Sequence, residues 1–431
     1  MKIFFALALF AIISYLFLKR NISGVILLIT LALVKYEIIL GGKPVAIYQL
    51  ITLFLTFIFF FFKPKSLIYD KRLFFSVLMF IAGLSFAALV MRPEGSILGR
   101  LQLCFDYSFL FFATIFCLKD IEDLEKLIKG IHFGIFLVAT IGTVGLIIGN
   151  PFFGLQEIDG KLISTNYFEN ISYYNKTING NYISENRIRY STSDPNSLGI
   201  LMNFGLLISI SLMKKNKLKM ERYFNYFCFA LFSFTILLTL SRTSYVLLLL
   251  ILLFNFFNRY FLLYAVLFTA LTYLSIETLS FLDLTDFFTK RLNTEESNIY
   301  SGNNRLERWS YHFNNLSLEY LLFGNSYTGY QGTSTTMSHN NFLALIYRGG
   351  LFAFFSFFYI LCRMFFSKKT NGFFPFRQLS IIIVIAGLSQ ELVNSYGPNF
   401  IIWPLIAALA FYSKIFNYNN ELSNSGTADM L

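Results

Sequence analysis

Thirteen apolar segments follow one another along this chain, and most are close to the length of a helix that crosses a bilayer. A spanning helix needs roughly 20 predominantly apolar residues. Of the 431 residues, 56% are hydrophobic and only 14% are charged, whereas soluble domains carry about 25% charged residues. The segments cover residues 3–18, 22–40, 45–62, 73–91, 101–118, 127–149, 196–213, 223–240, 243–257, 260–279, 340–366, 378–393 and 399–416. This pattern predicts an all-α polytopic membrane protein with about 12 (11–13) transmembrane helices.

The same features exclude several other classes of protein. The apolar runs do not alternate with a period of two, which excludes a transmembrane β-barrel. The formal net charge of +11 lies mostly in short loops between apolar segments, so it indicates membrane topology rather than binding to nucleic acid. The four cysteines are widely spaced and form no CxxC pair, so neither a zinc site nor a disulfide framework is predicted. The first segment lacks a small-residue cleavage site, and we expect it to be retained.

Basic residues predict which loops are cytoplasmic. They cluster in alternate loops: Lys19 and Arg20; Lys63, Lys65, Lys71 and Arg72; Lys119, Lys126 and Lys129; Lys214, Lys215, Lys217, Lys219 and Arg222; Lys368, Lys369 and Arg377. By the positive-inside rule these loops face the cytoplasm. We therefore expect a single transmembrane domain, residues 1–431, with a cytoplasmic C-terminus. Two long loops, residues 150–194 and 280–338, are then external, and loops of this length are usually functional.

The second long loop contains a predicted amphipathic helix, Asn304 to Phe323. Arg305, Arg308 and His312 share one face of it, at i, i+3 and i+7, and apolar side chains populate the other face. We expect this helix to lie on the outer membrane surface. Arg305 and Arg308 also fit a simpler interpretation, a solvated helix face.

Three polar helix starts are predicted on the same external side. They are the segment from Arg187 to Asn196, which includes Arg189, Asp194 and Pro195; the segment from Leu240 to Ser244, which includes Arg242; and the segment from Ser338 to Asn341, which includes His339 and Asn340. Helix N-termini carry partial positive charge and N–H donors that bind phosphate. With the arginines, they predict an anion site that fits a lipid-linked pyrophosphate. Simpler interpretations are helix capping for Asp194, snorkelling for Arg242 and a polar helix start for His339.

Other charges are predicted to lie within the membrane, namely Asp106, Arg348 and Glu391. Intramembrane charges are costly and usually face a partner or a polar cavity, so Arg348 and Glu391 are a candidate pair. The sequence contains no Walker, HExxH, GxSxG or Asp-rich metal motif, and only three histidines. We therefore expect chemistry that uses no metal, no ATP and no other cofactor.

The second half of the chain resembles the bacterial O-antigen ligase and O-antigen polymerase superfamily. The resemblance rests on Asp194-Pro195-Asn196, on Leu240-Ser241-Arg242, on Asn304, Arg305, Arg308 and Trp309 running to Phe323-Gly324, and on His339-Asn340-Asn341-Phe342-Leu343 followed by Gly350 and Ala353. Ala353 and Arg348 depart from the residues that are common in the family.

The resemblance implies glycosyl transfer at the periplasmic face of the bacterial inner membrane. The donor would be a glycan on undecaprenyl pyrophosphate, and an acceptor hydroxyl would displace the lipid pyrophosphate from its anomeric carbon. The implied catalytic residues are Arg242, which would hold the pyrophosphate, and His339, which would orient or deprotonate the hydroxyl. The implied substrate-binding residues are Arg187, Arg189, Asp194, Asn196, Arg305, Arg308 and Asn340.

Within this superfamily two activities stay open. A polymerase adds growing chains to a lipid-linked repeat unit, and the Phe- and Asn-rich composition and divergent first half favour it. A ligase moves the finished glycan to lipid A-core. A flippase or transporter is a third hypothesis, disfavoured because the charges lie on one face and no internal repeat is present. The expected partners are an undecaprenyl-pyrophosphate-linked oligosaccharide, membrane lipid and, for a polymerase, a chain-length regulator protein; no nucleic acid partner is expected.

Overall fold

Helices make up most of the structure, and three short β-hairpins stand between them. The computed structural model describes residues 2–34, 37–40, 43–61, 69–90, 109–148, 155–158, 161–164, 168–174, 182–188, 190–192, 194–215, 218–239, 241–256, 309–310, 313–314, 316–324, 340–367, 374–390, 392 and 397–424. The predominantly helical fold class predicted from the sequence is confirmed for this part of the chain.

The helices follow the predicted apolar segments closely. They are α1 (Lys2–Leu18), α2 (Ile22–Val34), α3 (Ile47–Phe61), α4 (Lys71–Val90), α5 (residues 109–117), α6 (Ile121–Ile148), α7 (Pro195–Lys215), α8 (Lys219–Leu238), α9 (Arg242–Phe256), α10 (Leu318–Phe323), α11 (Asn341–Phe365), α12 (Phe376–Ser389) and α13 (Asn399–Asn424). Twelve of the thirteen apolar segments contain one of these helices. The tenth segment, residues 260–279, lies outside the described residues.

Several helices have the length and composition of membrane spans. Among the described residues, four helical stretches are long and apolar enough to cross a bilayer: Lys71–Val90, Ile121–Gly145, Pro195–Lys215 and Asn341–Phe365. Five shorter apolar helices accompany them: Ala6–Leu18, Ile22–Val34, Arg242–Asn255, Phe376–Ser389 and Asn399–Ile415. The chain therefore has the character of a helical membrane protein.

The β-hairpins are a feature that hydropathy did not predict. β1 (Glu37–Leu40) pairs with β2 (Lys43–Ala46), β3 (Leu155–Ile158) with β4 (Lys161–Ser164), and β5 (Phe168–Tyr174) with β6 (Tyr182–Ile188), all antiparallel. In the sequence, two residues separate the strands of each of the first two hairpins, Gly-Gly in one and Asp-Gly in the other. Such pairs favour two-residue hairpin turns. The apolar run at 22–40 is accordingly divided between α2 and β1, and the long loop at 150–194 has secondary structure of its own.

Ion pairs join helix starts to helix ends at one end of the bundle, which we call the basic end. It comprises the starts of α4 and α6 and the ends of α7 and α11. Lys215 in α7 pairs with Glu125 in α6. Nη2 of Arg363 in α11 lies 2.5 Å from Oδ2 of Asp70, directly before α4. These contacts show that α7 runs antiparallel to α6 and that α11 runs antiparallel to α4.

The opposite end, which we call the loop end, holds the starts of α7, α9, α11 and α13. Gln390, directly after α12, donates from Nε2 to Oδ2 of Asp194, directly before α7, over 2.7 Å. Gly387 in α12 lies against Asn341 at the start of α11. The helix starts that the sequence placed on one side thus lie at one end of the bundle. The compartment that this end faces stays a prediction.

A sharp bend in α11 occurs at Gly350, where α4 and α10 approach it. Gly350 has φ 65° and ψ −166°, a conformation outside the helical region. A Cβ atom there would collide with the carbonyl oxygen of Leu322 in α10, and a Cβ on Gly83 in α4 would lie 2.9 Å from the carbonyl oxygen of Gly349. Glycine therefore allows both the bend and the close approach. The bend sets the direction of residues 341–349, the part of α11 nearest the loop end.

Candidate functional site

Asp194 holds the start of α7. Its Oδ1 accepts hydrogen bonds from the backbone N–H groups of Asn196 (2.8 Å) and Ser197 (3.1 Å). Its Oδ2 accepts from Oγ of Ser197 (2.6 Å) and from Nε2 of Gln390 (2.7 Å). Pro195 is the first helical residue, a position that requires no N–H donor. The described contacts of Asp194 are those of a helix cap that also ties α7 to α12, and its role in substrate binding stays a prediction.

Residues 190–192, which precede the Asp194 cap, contact two other helices, α2 and α6. Tyr190 is buried, has a positive φ of 46° and lies against Gly142 of α6. Oγ of Ser191 donates to the carbonyl oxygen of Leu33 in α2 over 2.6 Å. The segment that precedes α7 is therefore anchored to α2 and α6. Sequence reasoning gave no sign of this, because it depends on contacts between distant parts of the chain.

The start of α9 is packed tightly against α7. Oγ of Ser241 caps α9, accepting from the N–H of Ser244 (3.4 Å) and from its Oγ (3.0 Å). Nδ2 of Asn203 in α7 donates to the carbonyl oxygen of Ser244 (3.1 Å). Gly199, one turn before Asn203, allows this approach because a Cβ there would lie 2.6 Å from Cβ of Ser244. The first turn of α9 is therefore held by contacts on its buried face.

Arg242 is the first residue of this firmly held turn, and its side chain is exposed. Within the part of the chain that the structure describes, its guanidinium makes no hydrogen bond, ion pair or ring contact. Arg20 and Arg363, by contrast, are engaged by the carbonyl of Phe116 and by the carboxylate of Asp70. Arg242 is thus a cation available to a ligand, at a position fixed by Ser241 and by the packing of α9 on α7.

Asn340 caps α11 as Asp194 caps α7. Its Oδ1 accepts from the N–H groups of Phe342 (3.0 Å) and Leu343 (3.1 Å). Both helix starts adjoin α12, since Gly387 lies against Asn341 and Gln390 binds Asp194. The last turn of α12 therefore joins two of the three predicted site segments.

These caps reduce the number of free N–H donors at the predicted anion site, which itself stays a prediction. We expected free N–H donors at the three helix starts to bind an anion. In the structure, N–H groups in the first turns of α7, α9 and α11 are occupied by Asp194, Ser241 and Asn340. Side-chain caps compete with anions for these donors. Positive charge at the loop end is therefore offered by Arg242 and by the helix dipoles rather than by those N–H groups.

The remaining predicted residues are placed only in part. Arg187 lies in β6, opposite Glu169 of β5. Arg348 is half-buried and precedes the bend of α11 by two residues. The residues Arg189, Arg305, Arg308, His312, His339, Asp106 and Glu391 lie outside the described residues. Asn196 is half-buried as the second residue of α7.

The structure thus brings together Asp194, Asn196, Arg242 and Asn340 at the loop end. Across the described ranges, no group of three or more His, Cys, Asp or Glu side chains is arranged to hold a metal ion. Gln390 and Gly199 contact the site segments but were not predicted from the sequence. For Gly199, the signal in the sequence is a small residue one turn before the polar Asn203 in α7, a spacing that suits close helix packing. Gln390 has no such signal. Comparison of the chain with models of protein families and with curated proteins gave no match.

Proposed function

We propose that this chain is a membrane glycosyltransferase that polymerises glycans carried on undecaprenyl pyrophosphate. About 12 helices (11–13) cross the inner membrane. The basic end and the C-terminus face the cytoplasm, as the positive-inside rule favours, and the loop end faces the periplasm. Residues 150–194 and 280–338 are then the periplasmic loops beside the site.

The single observation that carries this proposal is that the Arg242 side chain is exposed and, in the described part of the chain, unpaired on a firmly held backbone. It is exposed and has no partner among the described residues, yet its backbone is fixed by the Ser241 cap and by Gly199 and Asn203 of α7. A guanidinium donates two parallel hydrogen bonds to phosphate oxygens, and such charge-assisted bonds are roughly twice as strong as neutral ones. A fixed, unpaired arginine at a helix N-terminus therefore suits a pyrophosphate group at the membrane surface.

The chemistry needs little more than this charge and a base. An acceptor hydroxyl attacks the anomeric carbon of the donor sugar, its proton passes to the base, and the bond from that carbon to the pyrophosphate oxygen breaks. The lipid pyrophosphate leaves with the bonding electrons, and Arg242 stabilises the negative charge that develops on it. Removal of one such stabilising donor typically slows an enzyme by roughly 10²–10³-fold. His339 is the base in this scheme, with Arg189, Arg305 and Arg308 as further phosphate ligands.

Substitution of Arg242 in cells tests the proposal. Arg242→Ala is expected to abolish the glycan ladder on lipopolysaccharide, and Arg242→Lys to retain part of it because Lys keeps the charge but not the two parallel bonds. The matched control is Arg72→Ala, which removes an exposed arginine from the start of α4 at the basic end. A normal ladder in Arg242→Ala, with the protein verified in the membrane, would refute the proposal.

Deletion of the gene separates polymerase from ligase. Loss of a polymerase leaves lipopolysaccharide with a single repeat unit, because ligation still occurs. Loss of a ligase leaves bare lipid A-core. We expect the single-unit product. Bare core would instead show that the protein is a ligase, in which Arg242 has the same proposed role.

A further inference from the structure

The first two turns of α13 carry two polar side chains that are almost completely buried. Asn399 is 0% exposed and Trp403 is 1% exposed. Among the described residues, neither Oδ1 nor Nδ2 of Asn399 has a hydrogen-bond partner, and neither has Nε1 of Trp403. Three polar atoms on one short stretch of helix thus lack a protein partner.

Such an arrangement is unfavourable if no other molecule completes it. Burying a polar group without a hydrogen bond destabilises a protein, and the large majority of buried side-chain polar atoms in native structures are satisfied by protein or ordered water. Apolar side chains at these two positions would not carry this penalty. The two polar residues therefore indicate a partner that the chain itself does not supply.

The donor and acceptor atoms of the pair suit one small molecule that both donates and accepts. Residues four apart on a helix lie on the same face, with Cβ atoms about 5–6 Å apart. A water molecule between the two side chains could accept from Nε1–H of Trp403 and donate to Oδ1 of Asn399, in hydrogen bonds of the ordinary length of about 2.9 Å. Buried waters typically make about three such bonds, and Nδ2 of Asn399 offers the next donor.

Aromatic side chains of α4 and α11 lie near Trp403, on the side of the pair that faces the core of the helix bundle. The Trp403 ring lies 5.1 Å from that of Phe80 in α4, and Phe80 lies 6.0 Å from Phe357 in α11. On the other side, Asn399 follows directly after the turn at Gly397, which has φ 110° and approaches Thr192 at the loop end. The site is therefore walled by α4 and α11 and lies one turn from the end of the bundle.

We propose that Asn399 and Trp403 form a buried water-binding site at the loop end, between α13, α4 and α11. The bound water satisfies the side chains that the protein leaves unpaired and joins the first two turns of α13. This site does not depend on the proposed transferase activity, because it contains none of the residues assigned to that reaction.

Hydroxyl-radical footprinting of the full chain in lipid nanodiscs tests this site. X-rays generate radicals from water in place, and they oxidise side chains that bound water touches. Trp403 is expected to be oxidised although it is buried, with the half-buried Trp309 as the internal reference. In Asn399→Leu, oxidation of Trp403 is expected to fall several-fold while that of Trp309 is unchanged. Oxidation of Trp309 without oxidation of Trp403 in the native protein would overturn the proposal, whatever the variant does.

Thermal unfolding gives a second measurement, for which a water-bound site and an unsatisfied amide predict opposite changes in the unfolding midpoint. If water completes the site, Asn399→Leu lowers the midpoint of unfolding because the leucine cannot bind it. If the amide is simply unsatisfied, the same substitution raises the midpoint, and the proposal fails. Ile402→Leu is a control for a change of side-chain shape at a buried apolar position of the same helix.

Discussion

Gly199→Ala is the substitution that most directly probes how α7 holds α9. A Cβ at this position would meet Oγ of Ser244, would lie 2.6 Å from Cβ of Ser244 and would lie 3.1 Å from Oγ1 of Thr239. All three atoms are in buried side chains, and Cβ of Ser244 is attached directly to the helix backbone, so it cannot swing away as the end of a long side chain can. We expect α9 to move outward and to carry Arg242 with it.

The size of the effect follows from two opposing contributions. Alanine is more favourable than glycine inside a helix by about 0.5–1 kcal/mol. Overpacking of a well-packed site costs about 1–3 kcal/mol. The free energy of unfolding is therefore expected to fall by about 1 kcal/mol, the difference between the middles of these two ranges. Gly134→Ala in α6 is the matched control, because the nearest atom there, at 3.1 Å, is the terminal Cδ1 of Leu33.

The assay is unfolding of the purified protein in mixed detergent micelles, followed by circular dichroism. Ser244→Gly removes the Cβ and Oγ that Gly199→Ala would meet, although alone it loses the hydrogen bond to Ser241. In the double variant the loss should be smaller than the sum of the two single losses. Gly199→Ala as stable as the native protein, or strictly additive losses, would show that α7 and α9 are not in this close contact.

Three further substitutions test other parts of the structure. Gly350→Ala should lower the free energy of unfolding by at least about 1–3 kcal/mol, since φ 65° with ψ −166° is a region essentially restricted to glycine; an unchanged unfolding midpoint would argue against the bend in α11. Asp194→Ala should cost about 2 kcal/mol through loss of the cap and of the Gln390 bond, and a double variant with Gln390→Leu should lose less than the sum. Burial raises the pKa of Asp70, but hydrogen bonds from Arg363 and from backbone N–H groups outweigh it and hold that pKa below its ordinary value. Asp70→Asn should therefore be less stable than the native protein above about pH 5, with the difference vanishing as the pH falls through the folded-state pKa; a difference independent of pH would refute this pairing.

Local signals in the sequence predicted the helix starts well. Asp194 followed by Pro195 indicated a cap and a first helical residue, and the structure has α7 begin at Pro195 with Asp194 as its cap. The helices α9 and α11 begin at Arg242 and Asn341, each within one residue of the start of the predicted apolar segment. Capping depends on residues within one turn of each other, so a single sequence carries the necessary information.

Features that depend on distant residues could not be predicted in the same way. Gln390 and Asp194 are 196 positions apart, and nothing in either local sequence indicates their hydrogen bond. The bend at Gly350 requires the carbonyl of Leu322 beside it, which only the folded chain supplies. The hairpins are different, because Gly-Gly and Asp-Gly are local signals of a two-residue turn. The first pair lies between two apolar runs that predicted helices, and the second lies in a segment that was predicted as a loop.

Turnover of a lipid-linked substrate by the purified protein tests the central claim most directly. The protein is reconstituted in vesicles without any ion gradient, in the presence of a chelator, and supplied with an oligosaccharide on undecaprenyl pyrophosphate. Native protein and Arg72→Ala are expected to form longer glycans and release undecaprenyl pyrophosphate, whereas Arg242→Ala is expected to be slowed roughly 10²–10³-fold. Equal turnover by Arg242→Ala, or movement of the lipid-linked glycan across the vesicle membrane without any transfer, would contradict the account.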